Sequence, residues 1–233
     1  MDRRSVAAIA TLDDGVRAAL FACVRDASGP VTREGAAGAV GISRKLAAFH
    51  LDKLVAAGLL QSRIEAVGAP KVGRAPKVYE PSGLDVGFCV PQRDHGLLAE
   101  ILLAAVLRER TDERASETVL RVARDRGSEV GAAERERTRP GRVGAERALT
   151  MAADVLTEQG YEPARDPGGV RLRNCPFHPL AASAPELVCG LNQSYLSGVL
   201  DGLQADHAIE AVLAPREGAC CVELRRRVTP SGR

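Results

Sequence analysis

The chain has no tryptophan, two methionines, three tyrosines and four phenylalanines among 233 residues. A core built from large rings is therefore excluded, and Leu, Val, Ile and Ala must fill the interior. No apolar run approaches the roughly 18 to 20 residues that a bilayer-spanning helix needs. The opening MDRRSVAAIATLDDG has a short apolar stretch after Arg3-Arg4 but meets Asp13-Asp14 at once. It lacks the long apolar region of a signal peptide, so a cytoplasmic protein is expected. Charge of one sign is also missing, since the net is only +2. There is no Ser-His-Asp set, phosphate loop or paired-carboxylate site, so an enzyme is not expected. The six cysteines form no Cys-x-x-Cys knuckle. In a reducing compartment they read as thiols, metal ligands or redox sensors rather than disulfides.

The apolar content is 45% and the charged content 27%, which suffices for a real core. The length suits two domains of ordinary size. Residues 1–84 hold 12 Lys and Arg against 8 Asp and Glu, a net of +4, and the remainder nets −2.

Residues 28–81 organise the first part. Residues 12–27 read as a helix with Val16, Leu20, Cys23 and Val24 on its buried stripe. Thr32 caps a second helix, and Gly41-Ile42 makes a turn. Ser43 then caps a third helix, in which Ala47, Leu51 and Leu54 recur on one face. The other side carries Lys45, Phe49, Asp52 and Lys53, flanked by Arg44 and Ala48. Gly58 ends the helix. Leu59–Val67 and Lys77–Tyr79 read as two strands around GAPKVGRAP, a loop by its Gly and Pro content.

This order of parts reads as a winged helix-turn-helix. In that reading the N-terminal part of the third helix enters the DNA major groove. Arg44 and Lys45 would meet guanine edges or phosphates, and Ala48 and Phe49 a thymine methyl. Lys71 and Arg74 at the loop tip, with Arg63 and Lys77 on the strands, would reach the minor groove. Residues 12–81, with the segment GRAPKVYEP, resemble the winged-helix domain of ArsR- and DeoR-type bacterial transcription regulators.

Beyond Pro81-Ser82-Gly83, residues 94–109 read as a strongly apolar helix and residues 112–130 as a more polar one. Residues 85–145 are expected to form a helical dimerisation region and linker, since two-fold operators call for two-fold proteins. Residues 131–146, charged and interrupted by Pro and Gly, read as that linker. Residues 146–233 then read as a small α/β domain. It holds a helix over 147–158, a hairpin around RDPGG, a helix over 185–204, and strands over 208–213 and 220–227. The fold class expected is α+β.

This last part carries Cys175, Cys189, Cys220, Cys221 and His178. Period two on the last strand puts Cys220 with Val222 and Leu224 on the buried face, and Cys221 with Glu223 and Arg225 on the other. Three thiolates from a loop, a helix and a strand suit a soft metal centre, zinc or iron–sulfur. The spacing C-x13-C-x30-C selects neither. The segments NCPFHPLA, VCGLNQSYLSGVLDGL and CCVEL, following a winged helix, resemble the SufR-type repressors of iron–sulfur cluster assembly. The resemblance implies a [4Fe–4S] cluster on Cys175, Cys189 and Cys220, with His178 a candidate fourth ligand, and a DNA affinity set by the cluster. Cys221 competes with Cys220 for the ligand role. The alternatives are a structural zinc on Cys175, His178, Cys189 and Cys220, a small apolar ligand in the last domain, and a thiol redox enzyme using Cys220-Cys221.

Overall fold

The computed structural model describes residues 3–65, 75–84, 87 and 89–227. It is a mixed α and β fold with two small antiparallel sheets. The chain divides into two compact units, residues 1–88 and 89–233.

The first unit begins with α1 (Arg3–Leu12) and α2 (Gly15–Arg25). The sequence reading starts one helix at Leu12. The structure breaks the chain there instead, because Asp14 turns its carboxylate onto the amides of Val16 and Arg17 and caps α2. Strand β1 (Val31–Thr32) leads into α3 (Arg33–Val40), with the Thr32 hydroxyl accepting from Gly35 N–H at 3.1 Å. Gly41 ends α3 at φ 74°, a left-handed conformation that suits glycine. Ser43 Oγ then caps α4 (Arg44–Ala56) by accepting from Leu46 N–H at 3.2 Å. Strands β2 (Leu60–Ile64) and β3 (Lys77–Pro81) follow, and the sheet order is β1-β3-β2. Leu20, Val24, Ala47, Leu51, Leu54, Leu59, Leu60 and Tyr79 form its core.

The second unit opens with α5 (His95–Leu107) and α6 (Ala115–Thr138). Here the linker expected over residues 131–146 is corrected. Helix α6 runs on to Thr138, and the Arg137 guanidinium pairs with Glu134 one turn back at 2.7 Å. The helix stops where Arg139 turns left-handed at φ 43° just before Pro140. The tertiary reason for the extension is close packing against α9 (Pro185–Gly202). A methyl group at Gly127 or Gly131 would run into the carbonyls of Tyr195 or Val199. One at Gly198 or Gly202 would run into those of Arg124 or Ser128.

Helix α7 (Ala145–Glu158), strands β4 (Pro163–Asp166) and β5 (Gly169–Leu172), a single turn α8 (Leu180–Ser183), α9, and strands β6 (Ile209–Leu213) and β7 (Val222–Arg226) complete the unit. The four strands are antiparallel in the order β4-β5-β7-β6. One apolar core runs from Leu97 on α5 to Leu224 on β7. No helix among the described residues is long and apolar enough to cross a membrane.

Candidate functional site

Two regions carry chemistry. The first is the outward side of α4. Arg44, Lys45, Phe49 and Lys53 are exposed, Phe49 at 53%. Ala48 is half-buried beside them. Phe49 is held without a core. Lys53 Nζ stands 4.5 Å over its ring, and the His50 ring meets it edge-on at 5.1 Å. Among the described residues Arg44, Lys45 and Lys53 have no acidic partner, so their charge faces outward.

The hairpin cations differ. Arg63 is paired with Glu65 at 2.6 Å and with Glu80. Lys77 donates to Asp52 at 2.6 Å, and the Tyr79 hydroxyl donates to the same oxygen at 3.1 Å. Burial opposes ionisation of Asp52, but the hydrogen bonds from Lys77 and Tyr79 together hold its carboxyl below the usual range. Burial and the Asp52 charge push Tyr79 up to about 12. These contacts tie β3 to α4. Lys71 and Arg74 lie outside the described residues.

The second region is the cysteine group. Register brings its members together: β5 pairs with β7, and Cys220 N–H donates to Leu172 O at 3.0 Å. The strand end at Cys220 thus lies beside the loop that leaves β5, where Cys175 stands. The Cys175 thiol is hydrogen-bonded to Cys220, which with burial raises Cys175 well above the usual thiol value. The same bond by itself favours the Cys220 thiolate, but contact with Cys221 and burial outweigh it and push Cys220 up to about 11. Both thiols are therefore protonated at neutral pH, and a metal must displace their protons.

Below the sulfurs lies a buried polar chain. The Tyr161 hydroxyl donates to Asn192 Oδ1 at 2.6 Å, and Asn192 Nδ2 donates to Cys220 Sγ at 3.1 Å. Cys189 sits on α9 one turn before Asn192, so their β-carbons are about 5–6 Å apart. His178 is exposed, and its carbonyl meets His95 Nε2 at 3.1 Å. Among the described residues no three His, Cys, Asp or Glu side chains are gathered as a metal would require. The structure thus brings Cys175 and Cys220 together, with Cys221 adjacent, and does not bring Cys189 or His178 into a set with them.

The loop Cys175–His178 is also tied to the start of α5. Arg93 Nη1 donates to Cys175 O at 2.7 Å and Asp94 N–H to Pro176 O at 3.0 Å, while His95 reaches His178 O. Asp94 in turn caps α5 through Leu97 N–H at 2.8 Å. Sequence reasoning missed Arg93, Asp94, His95, Asn192 and Tyr161. One signal was present: Asn192 is a polar residue on the apolar stripe Val188, Leu191, Tyr195.

A groove between α5 and α6 has a volume of about 210 Å³ and is lined by Glu100, Ile101, Ala104, Arg108, Val122, Arg126 and Glu129. It is smaller than the roughly 300–1,000 Å³ of ordinary ligand pockets, and four of its seven lining residues are charged. It suits an apolar ligand poorly.

Comparison of the chain with protein-family models, with curated proteins and with solved structures found no match.

Proposed function

We propose that the chain is a homodimeric transcription regulator of the repressor type, which binds double-stranded DNA through a winged helix-turn-helix and senses through its cysteine group. The uncovered side of α4 carries the DNA-binding reading. It presents Arg44 and Lys45 at the N-terminal end and an exposed Phe49, on a helix whose other side is fully committed to the core. Such a helix fits a major groove, where arginine and lysine read guanine and apolar contacts read thymine. In this reading α3, the Gly41 turn and α4 form the helix-turn-helix, and β2 with β3 forms the wing. Arg63 and Lys77, already paired with carboxylates, stiffen the wing rather than neutralise phosphate.

The donors of the second unit suit a soft metal, being thiols with no carboxylate among them. In this reading Cys175, Cys189 and Cys220 would hold a [4Fe–4S] cluster, although among the described residues Cys189 is not gathered with the other two. Such a cluster, when bound, supplies a state sensitive to iron and oxidant. The chain's own part is to carry that state: Arg93, Asp94 and His95 fasten the cysteine loop to α5. Leu103, Val106 and Leu107 of α5 are 62%, 71% and 77% exposed. A second copy is the partner that fits them.

The test is iron, sulfide and zinc analysis of protein purified without oxygen, with selection of DNA sequences from a random pool. We expect iron and sulfide in equal amounts, and an affinity for the selected site that changes about 5- to 150-fold on cluster removal. One zinc per chain in colourless protein would remove the cluster from this reading. Failure to enrich any DNA sequence would remove the regulator.

A further inference from the structure

Two sulfurs in contact are too few to hold a metal but are all that a disulfide needs. Among the described residues no three His, Cys, Asp or Glu side chains are gathered as ligands. What the second unit offers is one close thiol pair. Cys175 is hydrogen-bonded to Cys220. Both are free thiols, and both belong to the same apolar core. Their backbones are fixed separately: Cys175 O accepts from Arg93 Nη1 at 2.7 Å, and Cys220 N–H donates to Leu172 O at 3.0 Å.

Cys221 is the rival partner for Cys220. Adjacent α-carbons lie about 3.8 Å apart, short of the roughly 4.4–6.8 Å that an unstrained disulfide spans. A Cys220–Cys221 bond would have to distort the peptide between them. Both its flanks are held, since Cys221 O accepts from Ala214 N–H at 2.7 Å while Cys220 N–H is on Leu172. Cys175 is half-buried and Cys220 only 3% exposed, so a small reagent meets Cys175 first. Asn192 Nδ2 donates to Cys220 Sγ at 3.1 Å. A disulfide sulfur still accepts that bond, so loss of the thiol proton leaves no buried donor unpaired.

We propose that Cys175 and Cys220 form a reversible dithiol–disulfide couple oxidised by a peroxide, with Cys175 as the attacking sulfur. Cys175 Sγ attacks one peroxide oxygen. A S–O bond forms, the O–O bond breaks, and the other oxygen leaves as water with the thiol proton. Cys220 Sγ then attacks the sulfenic sulfur. The S–S bond forms, the S–O bond breaks, and the hydroxyl leaves as water with the Cys220 proton. Two thiols thus lose two electrons and one hydrogen peroxide gains them, giving one disulfide and two waters. A dithiol reductant reverses this by exchange. Because both thiols are protonated at neutral pH, the first attack is slow, and the couple answers sustained oxidant. The link joins the start of β7 to the loop that Arg93, Asp94 and His95 hold against α5. It needs neither a metal nor Cys189, so it goes beyond the cluster reading and does not rest on it.

The test treats the full-length, metal-free chain with hydrogen peroxide, then alkylates it and digests it with trypsin without reductant. Cleavage after Arg173, Arg216 and Arg225 puts Cys175 with Cys189 in one peptide and Cys220 with Cys221 in another, so variants assign the link. We expect free thiols to fall by two per chain, the two peptides to be joined, and dithiothreitol to restore both thiols. The join should persist in Cys189→Ser and Cys221→Ser and vanish in Cys175→Ser and Cys220→Ser. Cys175→Ser carries the assignment if Cys220→Ser, at the more buried position, does not fold. Loss of the join in Cys189→Ser or Cys221→Ser overturns the proposal, as does its survival in Cys175→Ser. A wild type whose two peptides stay apart after peroxide overturns it too. Iron and sulfide in protein purified without oxygen decide the cluster reading alone and leave this result unchanged.

Discussion

At the scale of single residues, charges on the first unit divide into those used within the fold and those left over. Asp52 is the clearest of the first kind, since it receives Lys77 and Tyr79 together. Its folded pKa lies below its unfolded value, so its stabilisation is present above about pH 4 and is lost as pH falls through the folded value. The pair is largely exposed, so the contribution is under about 1 kcal/mol. Asp52→Asn should speed hydrogen exchange of the β2 and β3 amides at pH 7 and flatten its dependence between pH 5 and 3. Arg44 and Lys45 are of the second kind. Arg44→Ala with Lys45→Ala should reduce DNA affinity at low salt and lower the slope of log affinity against log salt by about 0.9 for each phosphate no longer neutralised.

Elements are joined by contacts that local propensity opposes. Glycine within a helix costs about 1 kcal/mol relative to alanine, yet α6 carries Gly127 and Gly131 and α9 carries Gly198 and Gly202, each pair four residues apart. They let the two backbones meet where no side chain fits. Gly198→Ala should therefore destabilise the second unit by about 3 kcal/mol, read from its denaturant midpoint. Gly38→Ala on α3 is the control, because an added methyl there meets nothing within 4 Å. It should be neutral or stabilising by up to about 1 kcal/mol. The strap at residues 93–95 works differently: it adds hydrogen bonds to the cysteine loop rather than apolar area.

For the molecule as a whole, each unit has its own core, and the apolar residues left exposed are where the proposed partner would bind. The second unit leaves Leu103, Val106 and Leu107 uncovered on α5, more than scattered surface apolar residues explain. If the proposed dimer forms through α5, Leu103→Glu with Leu107→Glu should leave a monomer in sedimentation. A dimer that persists would place the two-fold elsewhere.

Much of this was legible in the order of residues, because capping and periodicity act over a few positions. Thr32, Gly41 and Ser43 mark the ends of α3 and α4 wherever the rest of the chain goes. Ala47, Leu51 and Leu54 face inward by helical spacing alone. Alternation put Cys220, Val222 and Leu224 inside, although Glu223 is drawn in as well by Arg216 and Arg225. The sequence by itself thus determined where α3 and α4 begin and end and which side of α4 and of β7 is buried. Tertiary structure alone decided that α6 continues past Gly131, since the gain lies in α9. It also decided that Arg63 and Lys77 are spent on carboxylates, and that Cys175 meets Cys220 while, among the described residues, Cys189 is not gathered with them. The reason is range: a cap or a stripe is fixed by neighbours in sequence, whereas register and close helix approach couple residues tens of positions apart, and only the packed core chooses among those pairings.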